Sequence, residues 1–278
     1  MMQTPIDYFD MDVLYIVGDG SLHNNIELMY SIRSLAANAQ HLGQIYICSE
    51  HFPGFLDPHC KRLTWIKYKQ PGKSAAVNVL CAMSYALHNS SIGDQFMLCN
   101  DDFFYIRPTD FDCIPYYTKG QLPAQASESI GSKVYCKTLI DTRDLLIRYG
   151  FPTTSFAHHC CTHWDKSLFF WAESEGIWRD AARLPFGVSM VSVMANIILY
   201  VSAIVAGRYN KANGTYDDWL TSVVKMRKDV KVRHFADRED LLRQIGDNDC
   251  FSIYDSAIDD GVLDYLHDLF PKKSIYER

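Results

Sequence analysis

The sequence lacks any long run of like charge. Its 278 residues include 27 lysines and arginines against 33 aspartates and glutamates, a net charge of −6, and no five consecutive residues carry the same sign. Nonspecific nucleic-acid binding depends on a broad positive surface that neutralises phosphates. The composition therefore argues against such a surface and leaves room for a local basic patch.

Flexible linkers and internal repeats are missing as well. No stretch rich in glycine and serine, or in proline, separates one part of the chain from another, and no segment recurs at a fixed period. Hydrophobic residues make up 48% of the chain and aromatic residues 13%, which is enough to build one large core. We therefore predict a single domain over residues 1–278.

A secretion signal is not evident either. Met1–Met11 is acidic and lacks the basic and then apolar order of a signal peptide, so a cytoplasmic location is expected. Leu184–Gly207 is uncharged and long enough to cross a bilayer, yet Ser189 and Asn196 lie within it and no polybasic segment flanks it. A buried helix, with no transmembrane segment, is the favoured interpretation.

The nine cysteines show no spacing typical of a disulfide framework. Their number is odd, and several lie in apolar runs such as Tyr46-Ile47-Cys48 and Met97-Leu98-Cys99. This placement is typical of reduced core thiols in cytosolic proteins. We therefore expect the cysteines to be reduced.

Strand and helix patterns alternate along the first part of the chain. Short apolar runs predict strands and 3.6-residue periodicity predicts helices, in the order Val13–Val17, helix Asn25–Ala39, Gln44–Cys48, Leu63–Tyr68, helix Ser74–Leu87 and Gln95–Cys99. After Pro108 the pattern is mainly helical, with Phe151–Trp164 as a loop. The expected fold class is α/β, a mostly parallel twisted sheet flanked by helices with a helical C-terminal elaboration.

Acidic residues follow two of these predicted strands. Asp19 comes after the first strand, and Asn100-Asp101-Asp102 comes after the last. The carboxyl ends of parallel strands meet at one edge of a sheet, where ligands bind. Carboxylate and amide oxygens suit Mg²⁺ or Mn²⁺ held against a diphosphate. The alternative for such a cluster is a capping or solvated loop.

A lysine and an asparagine mark the start of the second predicted helix. In Gly72-Lys73-Ser74-Ala75-Ala76-Val77-Asn78, a cation stands at a helix N-terminus, which favours a phosphate or a sugar hydroxyl. This helix followed by the acidic strand end resembles nucleotide-sugar transferases of the GT-A class. The resemblance implies a GT-A-like fold with a nucleotide-binding half over 1–115 and an acceptor half over 116–278. Asn100-Asp101-Asp102 departs from the Asp-x-Asp spelling of that class.

Further stretches resemble the Stealth family of sugar-phosphate transferases. They are Asp12-Val13-Leu14-Tyr15 with Asp19-Gly20, Glu27-Leu28-Met29-Tyr30-Ser31-Ile32-Arg33-Ser34, Asn100-Asp101-Asp102-Phe103-Phe104, His158-His159 and the ending Phe270-Pro271 to Glu277. The resemblance implies transfer of a sugar with its phosphate, a UDP-sugar as the favoured donor and a glycan acceptor. Gly18-Asp19-Gly20 stands where that family has Trp-Val-Asp-Gly, and Cys161 stands where a proline usually follows the motif histidine.

His159 is the candidate general base that removes the proton from an acceptor hydroxyl, since a near-neutral pKa suits that role. His158 is its rival. A packed or capping histidine and a zinc ligand in His158-His159-Cys160-Cys161-Thr162-His163 are the alternatives, although no second Cys/His pair has ligand spacing.

Three more charged residues are candidates for the site. Arg33, on the first helix, is predicted to bind a nucleotide phosphate, and Arg183 is predicted to act as a catalytic phosphate clamp. Both arginines could instead be surface charges. Asp255 is predicted as a second metal carboxylate, as the late Asn-Asp motif of the Stealth family implies, or as a helix cap.

The predicted assignment is therefore a metal-dependent transferase. Asp101, Asp102 and Asp255 are the candidate cation ligands, with Asp102, His159 and Arg183 as catalytic residues and Asp19, Arg33, Lys73, Asn78 and Asn100 as donor-binding residues. Attack at the anomeric carbon would give glycosyl transfer, whereas attack at the β-phosphate would move a sugar phosphate.

Two other functions remain open from the sequence. One is a phage-type glycosyltransferase acting on hydroxylated bases in DNA, which could use the basic residues Lys225, Arg227, Lys228, Lys231 and Arg233. The other is a non-catalytic nucleotide-sugar or glycan-binding module that keeps the fold without turnover.

Overall fold

The structure is a computed structural model, and it describes residues 10–18, 21, 23–125, 133–210, 215–216 and 223–278. The side chains of residues 209, 210, 215, 216, 255 and 260 lie outside this description.

Strands and helices alternate through the described residues. In chain order they are β1 (Met11–Ile16), α1 (Ile26–Asn38), β2 (Ala39–Gln40), β3 (Leu42–Ser49), β4 (Leu63–Lys67), α2 (Ala75–His88), β5 (Gln95–Cys99), β6 (Phe103–Tyr105), β7 (Thr109–Asp110), β8 (Tyr116–Thr118), α3 (Lys133–Arg148), β9 (Thr162–Asp165), α4 (Lys166–Ser174), α5 (Ile177–Ala181), α6 (Met190–Val205), β10 (Tyr209–Asn210), β11 (Thr215–Tyr216), β12 (Val224–Met226), β13 (Lys231–Val232), α7 (Arg238–Ile245), β14 (Cys250–Ile253) and α8 (Asp260–Leu269).

The main sheet has five strands in the order β4-β3-β1-β5-β9. The first four are mutually parallel, and β9 pairs with β5 in the antiparallel direction. The predicted α/β class, with a mostly parallel sheet flanked by helices, is confirmed. The loop predicted over Phe151–Trp164 is wrong at its end, because Thr162-His163-Trp164-Asp165 forms the edge strand although it contains no apolar run.

Two cores cover the faces of this sheet. Leu14 points into one core, which includes buried residues of α2 through α6, while Val13 and Tyr15 point into the other, beside α1. This alternation follows from the two-residue period of a strand. Because both faces are covered, the central strands are apolar on both sides.

The uncharged segment forms α6, and the predicted buried helix is confirmed. Val193, Met194 and Ile197 on it have no exposed surface. Asn196 is also buried, and its side chain satisfies backbone groups of Thr154. Among the described residues, no helix has both the length and the apolar character needed to cross a membrane.

A smaller sheet lies beside α1, in the order β13-β14-β6. β14 runs antiparallel to β6, with Ser252 opposite Phe103, and parallel to β13, with Ser252 opposite Lys231. Buried residues of β6, β13 and β14 pack with α7 and α8 in a third core. This sheet brings late residues of the chain next to the segment that follows β5.

A buried ion pair ties α1 to the end of the chain. The guanidinium of Arg33 donates to both carboxylate oxygens of Glu277, with the closest contact at 2.7 Å, and to the carbonyl of Phe270 at 3.2 Å. The side chains are only 8% and 3% exposed. Burial alone would raise the pKa of Glu277, but Arg33 and Ser274 hold it below its ordinary value.

We predict that Arg33→Met destabilises the protein by about 3–5 kcal/mol at pH 7, because it leaves a buried carboxylate without its partner. The lowered pKa of Glu277 means that the pair stabilises the fold above the unfolded-state pKa of about 4.3 and that this contribution is lost as the pH falls through the folded-state value. Urea unfolding from pH 7 to pH 3 measures the change.

The difference between wild type and Arg33→Met should therefore shrink at acidic pH. The double variant Arg33→Met with Glu277→Gln should lose less stability than Arg33→Met alone. Arg183→Met, at a side chain that is 73% exposed, is the matched control. A pH-independent cost for Arg33→Met would contradict the assignment.

Candidate active site

The main sheet reverses its strand order between β1 and β5. From β1 the chain builds outward through β3 to β4, and it then returns to the other side of β1 to form β5. In open α/β sheets, ligands bind in the crevice at the carboxyl ends of strands where the order reverses in this way.

A cavity of about 310 Å³ lies at this place. It is lined by Gly18 and Ser21 after β1, by Asn100, Asp101 and Asp102 after β5, and by Glu27, Lys231 and Ile258. Asn100, Asp101 and Asp102 therefore come together at the predicted edge of the sheet.

A buried hydrogen-bond chain positions the backbone next to Asp102. The hydroxyl of Tyr15 on β1 lies 2.9 Å from Ser31 Oγ on α1, and Ser31 donates to the carbonyl of Phe103 at 2.7 Å. Burial raises the pKa of the Tyr15 hydroxyl well above its ordinary value, so the phenol stays protonated. The strand, the helix and the acidic segment are thus held together by groups that do not titrate near neutral pH.

Asp102 contacts residues from the smaller sheet. Its Oδ2 accepts a hydrogen bond from Ser252 Oγ at 2.8 Å and lies 3.1 Å from Lys231 Nζ. Its side chain remains 18% exposed and lines the cavity. The lysine offsets one negative charge of the cavity and supplies a cation that could contact a phosphate.

Glu27 is a functional candidate that the local sequence pattern does not distinguish from other acidic residues. It lies in the first turn of α1, is 4% exposed and lines the cavity. Its Oε2 is buried, and within the described structure it has no hydrogen-bond partner. A buried carboxylate oxygen without a donor is costly, so a cation or an N–H or O–H group of a ligand is expected to satisfy it. The sequence signal that could have indicated this residue is an acidic side chain at the start of the helix that follows the first strand.

The carboxylates of the cavity do not form a closed metal cage. In the described part of the chain, a group of three potential ligands with all ligand atoms within 4.8 Å occurs at His41, Asp110 and Asp112, outside this cavity. Glu27, Asp101 and Asp102 are spread around a larger space. Mg²⁺ or Mn²⁺ can bind through one or two carboxylates and take its other ligands from water or phosphate, so a site at this cavity would need such additional ligands.

His159 is held by a carboxylate that the sequence did not indicate. Its Nδ1 lies 2.5 Å from Asp229 Oδ2, and its backbone N–H donates to Asp229 Oδ1 at 2.9 Å. Lys119 Nζ also contacts Asp229, at 2.6 Å. Burial would raise the pKa of Asp229, but the contacts with His158, His159 and Lys119 hold it well below its usual range. Asp229 is therefore a carboxylate that orients the His159 ring.

The chain before β13 connects this pair to the cavity. Val230 and Val232 are buried, whereas Asp229 and Lys231 between them are partly exposed. Alternate residues of an extended segment point to the same side, so the Asp229 and Lys231 side chains lie along one side. One reaches His159 and the other reaches Asp102. His159 and Asp102 therefore each contact one residue of this short segment. His159 and Asp229 border a separate small pocket and are not among the residues that line the cavity of Asp102.

A disulfide bond joins the same two parts of the chain. Cys99, the last residue of β5, is bonded to Cys161, which follows the two histidines. The expectation that the cysteines are all reduced is therefore wrong for this pair. Because the two residues are 62 positions apart, only the pairing of β5 with β9 brings them together. The bond ties the segment of Asp101 and Asp102 to the segment of His159.

The remaining predicted residues lie elsewhere. Lys73 and Asn78 bond to each other through the Lys73 backbone and the Asn78 amide, and Lys73 is exposed at the start of α2. Arg33 is fully engaged with Glu277 and Phe270, away from the cavity, so the prediction that it binds phosphate is not supported. Arg183 is a surface charge near Asp180 and does not line the cavity.

Two of the predicted carboxylates belong to the part of the chain that the structure does not describe. Asp19 and the side chain of Asp255 lie outside the described residues. The Asp255 backbone begins a short 3₁₀ helix over Asp255–Ala257, and Ile258 just after it lines the cavity.

The basic segment does not form a continuous positive face. Arg227 packs over the Tyr117 ring, contacts Asp249 and hydrogen-bonds Asn248, while Lys231 contacts Asp102. Lys225, Lys228 and Arg233 are exposed. This arrangement offers little support for the DNA alternative.

We predict that alkylation under denaturing, non-reducing conditions modifies the seven free cysteines, 48, 60, 81, 113, 136, 160 and 250, and leaves Cys99 and Cys161 unmodified. Reduction before alkylation should label all nine. Peptide mass spectrometry measures the labelling. In Cys161→Ser, Cys99 should become reactive without reduction, and full labelling of unreduced wild type would contradict the bond.

No protein-family model and no curated protein matches the chain. Among solved structures, the apo form of the glycosyltransferase GlyE from Streptococcus pneumoniae is similar over 94% of this chain and 100% of that chain. The sequence identity is 11% and the TM-score is 0.30. A TM-score this low carries no argument about activity, so the resemblance to the Stealth family stays a prediction from the sequence.

Proposed function

We propose that the protein is a metal-dependent transferase that moves a sugar, or a sugar 1-phosphate, from a nucleotide-sugar donor to a hydroxyl acceptor. The observation that carries the proposal is the cavity where the strand order reverses. It is lined by Asp101, Asp102 and Glu27, whose buried Oε2 has no hydrogen-bond partner among the described residues. A nucleotide-binding edge with several carboxylates suits a diphosphate held through a cation.

The residues of the cavity fit Mg²⁺ or Mn²⁺. Asp101 and Asp102 would hold the ion, and Glu27 supplies a buried oxygen that lacks a donor within the described structure. When bound, the ion neutralises the charge that develops on the departing nucleotide. Lys231 lines the same cavity and is the candidate residue to contact a phosphate of the donor, while Asn100 offers an amide on its rim.

His159 is the proposed general base. A hydrogen bond from Nδ1–H to Asp229 would leave Nε2 as the proton acceptor, with the ring orientation set by the carboxylate. Removing the proton of an acceptor hydroxyl makes its oxygen a better nucleophile. The short segment that contacts His159 through Asp229 also contacts Asp102 through Lys231, which supports a base acting next to the donor cavity.

The donor, the acceptor and the bond that breaks belong to the proposal. A UDP-sugar donor and a glycan acceptor are favoured by the sequence resemblance alone. Hydroxylated DNA is the second acceptor class, with Lys225, Lys228 and Arg233 as its exposed cations. A binding module without turnover is the alternative from another class.

We predict release of a nucleotide from labelled nucleotide sugars in the presence of Mn²⁺ and an acceptor. A nucleoside diphosphate product indicates glycosyl transfer, and a monophosphate indicates sugar-phosphate transfer. Asp102→Ala should lower the rate by orders of magnitude, since it removes a cation ligand and frees Lys231. Chromatography of the products measures both results.

Asp144→Ala, at an exposed carboxylate of α3, is the matched control and should keep the wild-type rate. Folding of each variant is checked by circular dichroism. Nucleotide-sugar binding with no turnover under any condition would favour the binding module, and no response to any nucleotide would overturn the proposal.

We also predict that His159→Ala lowers kcat by about 10²–10⁴-fold with little change in KM for the donor. Asp229→Asn should lower kcat by a smaller factor, because the imidazole remains but its orientation is lost. Steady-state kinetics separates the two parameters. Asp144→Ala, at the exposed carboxylate of α3, is again the control. A changed donor KM with an unchanged kcat in His159→Ala would contradict its role as a base.

A further inference from the structure

A second group of metal-ligand side chains lies at the other end of the main sheet. His41 is located in the turn between β2 and β3, and its carbonyl accepts a hydrogen bond from Met11 N–H at 2.6 Å, where β1 begins. The cavity with Asp101 lies beyond the last residue of β1. A six-residue strand spans roughly 17–20 Å, so the two places are well separated.

Backbone pairing brings His41 to two aspartates from a distant part of the sequence. β2 runs parallel to β7, with Gln40 opposite Asp110. Asp110 Oδ1 accepts the backbone N–H of Asp112 at 3.1 Å, which holds the loop that carries both carboxylates. Backbone hydrogen bonds therefore position both the segment that carries His41 and the segment that carries Asp110 and Asp112.

The three side chains have the spacing of an ion site. One ligand atom from each of His41, Asp110 and Asp112 lies within 4.8 Å of the others. Bond lengths of 2.0–2.2 Å in a tetrahedral zinc site place ligand atoms roughly 3.4 Å apart. Ligand atoms within 4.8 Å of one another are thus close enough for side-chain rotation to bring them around an ion.

The donor atoms select a class of cation. One imidazole nitrogen with two carboxylates suits Zn²⁺ and its neighbours in the first transition series better than Mg²⁺, which prefers oxygen ligands alone. This set differs from the all-oxygen carboxylates of Glu27, Asp101 and Asp102.

One of the three side chains, His41, also borders a cavity, whose lining does not include Asp110 or Asp112. This cavity has a volume of about 320 Å³ and is lined by His41, Leu42, Asp10, Arg62, Tyr276 and neighbouring apolar residues. His41 thus belongs both to the three-residue group and to the wall of an open cavity.

We propose that His41, Asp110 and Asp112 bind a transition-metal cation of the Zn²⁺ class, independent of any cation in the cavity of Asp101 and Asp102. The ion links the turn before β3 to the segment after β7, two parts of the chain that otherwise meet through two short strands. Its role is to stabilise this end of the sheet.

The test uses thermal unfolding and visible absorption with Zn²⁺ or Co²⁺ alone, without nucleotide. In an Asp102→Asn background, which weakens the other cavity, Zn²⁺ should raise Tm by roughly 5 °C at a concentration about 100-fold above its Kd. Co²⁺ should give visible bands at a stoichiometry of one per chain.

His41→Gly removes the imidazole and suits the backbone, because His41 has φ of 58°, where glycine is not strained. This variant should fold without metal and lose both the Tm shift and the cobalt bands, and Asp112→Asn should do the same. His59→Ala and Asp268→Asn, at exposed positions outside the group, should keep both signals. Wild-type protein that shows no shift with Zn²⁺ or Co²⁺, or a shift that survives both His41→Gly and Asp112→Asn, would overturn the proposal.

Discussion

The parallel pairing of β1 with β5 is the constraint on which the candidate active site depends. Four residues of β1, Asp12 to Tyr15, are opposite Phe96 to Cys99 of β5, so both strands end at the same edge of the sheet. The strand order reverses between them, and such a reversal leaves a crevice at the carboxyl ends of the strands. The polar residues that follow each strand therefore face one cavity.

The smaller sheet supplies side chains that contact the acidic segment after β5. β14 pairs with β6 immediately after the acidic segment, and β13 pairs with β14. This pairing brings Ser252 and Lys231 to Asp102, and Asp229 to His159. The disulfide between Cys99 and Cys161 holds the same region from the side of the main sheet. His159, Asp102 and Lys231 are thus held by three separate connections.

Much of the fold follows from local pattern. The strands ending at Ile16, Ser49, Lys67 and Cys99 lie within a few residues of their predicted bounds. Those ending at Ile16, Ser49 and Cys99 are largely buried apolar runs, and the edge strand ending at Lys67 still carries a short run rich in β-forming residues. The edge strand β9 was missed, since its pattern of Thr162-His163-Trp164-Asp165 depends on a partner rather than on its own composition. The role of Arg33 could not be predicted for a similar reason, because Glu277 is 244 residues away along the chain.

By itself, the sequence determined the α/β alternation, the buried uncharged helix and the position of Asn100, Asp101 and Asp102 at a strand end, because these depend on periodicity within short segments. Only the tertiary structure decided that Glu27 lines the same cavity, that Asp229 orients His159 and that Cys99 bonds to Cys161. Each of these contacts joins residues far apart in the chain, and their distance is set by sheet pairing and packing rather than by local pattern.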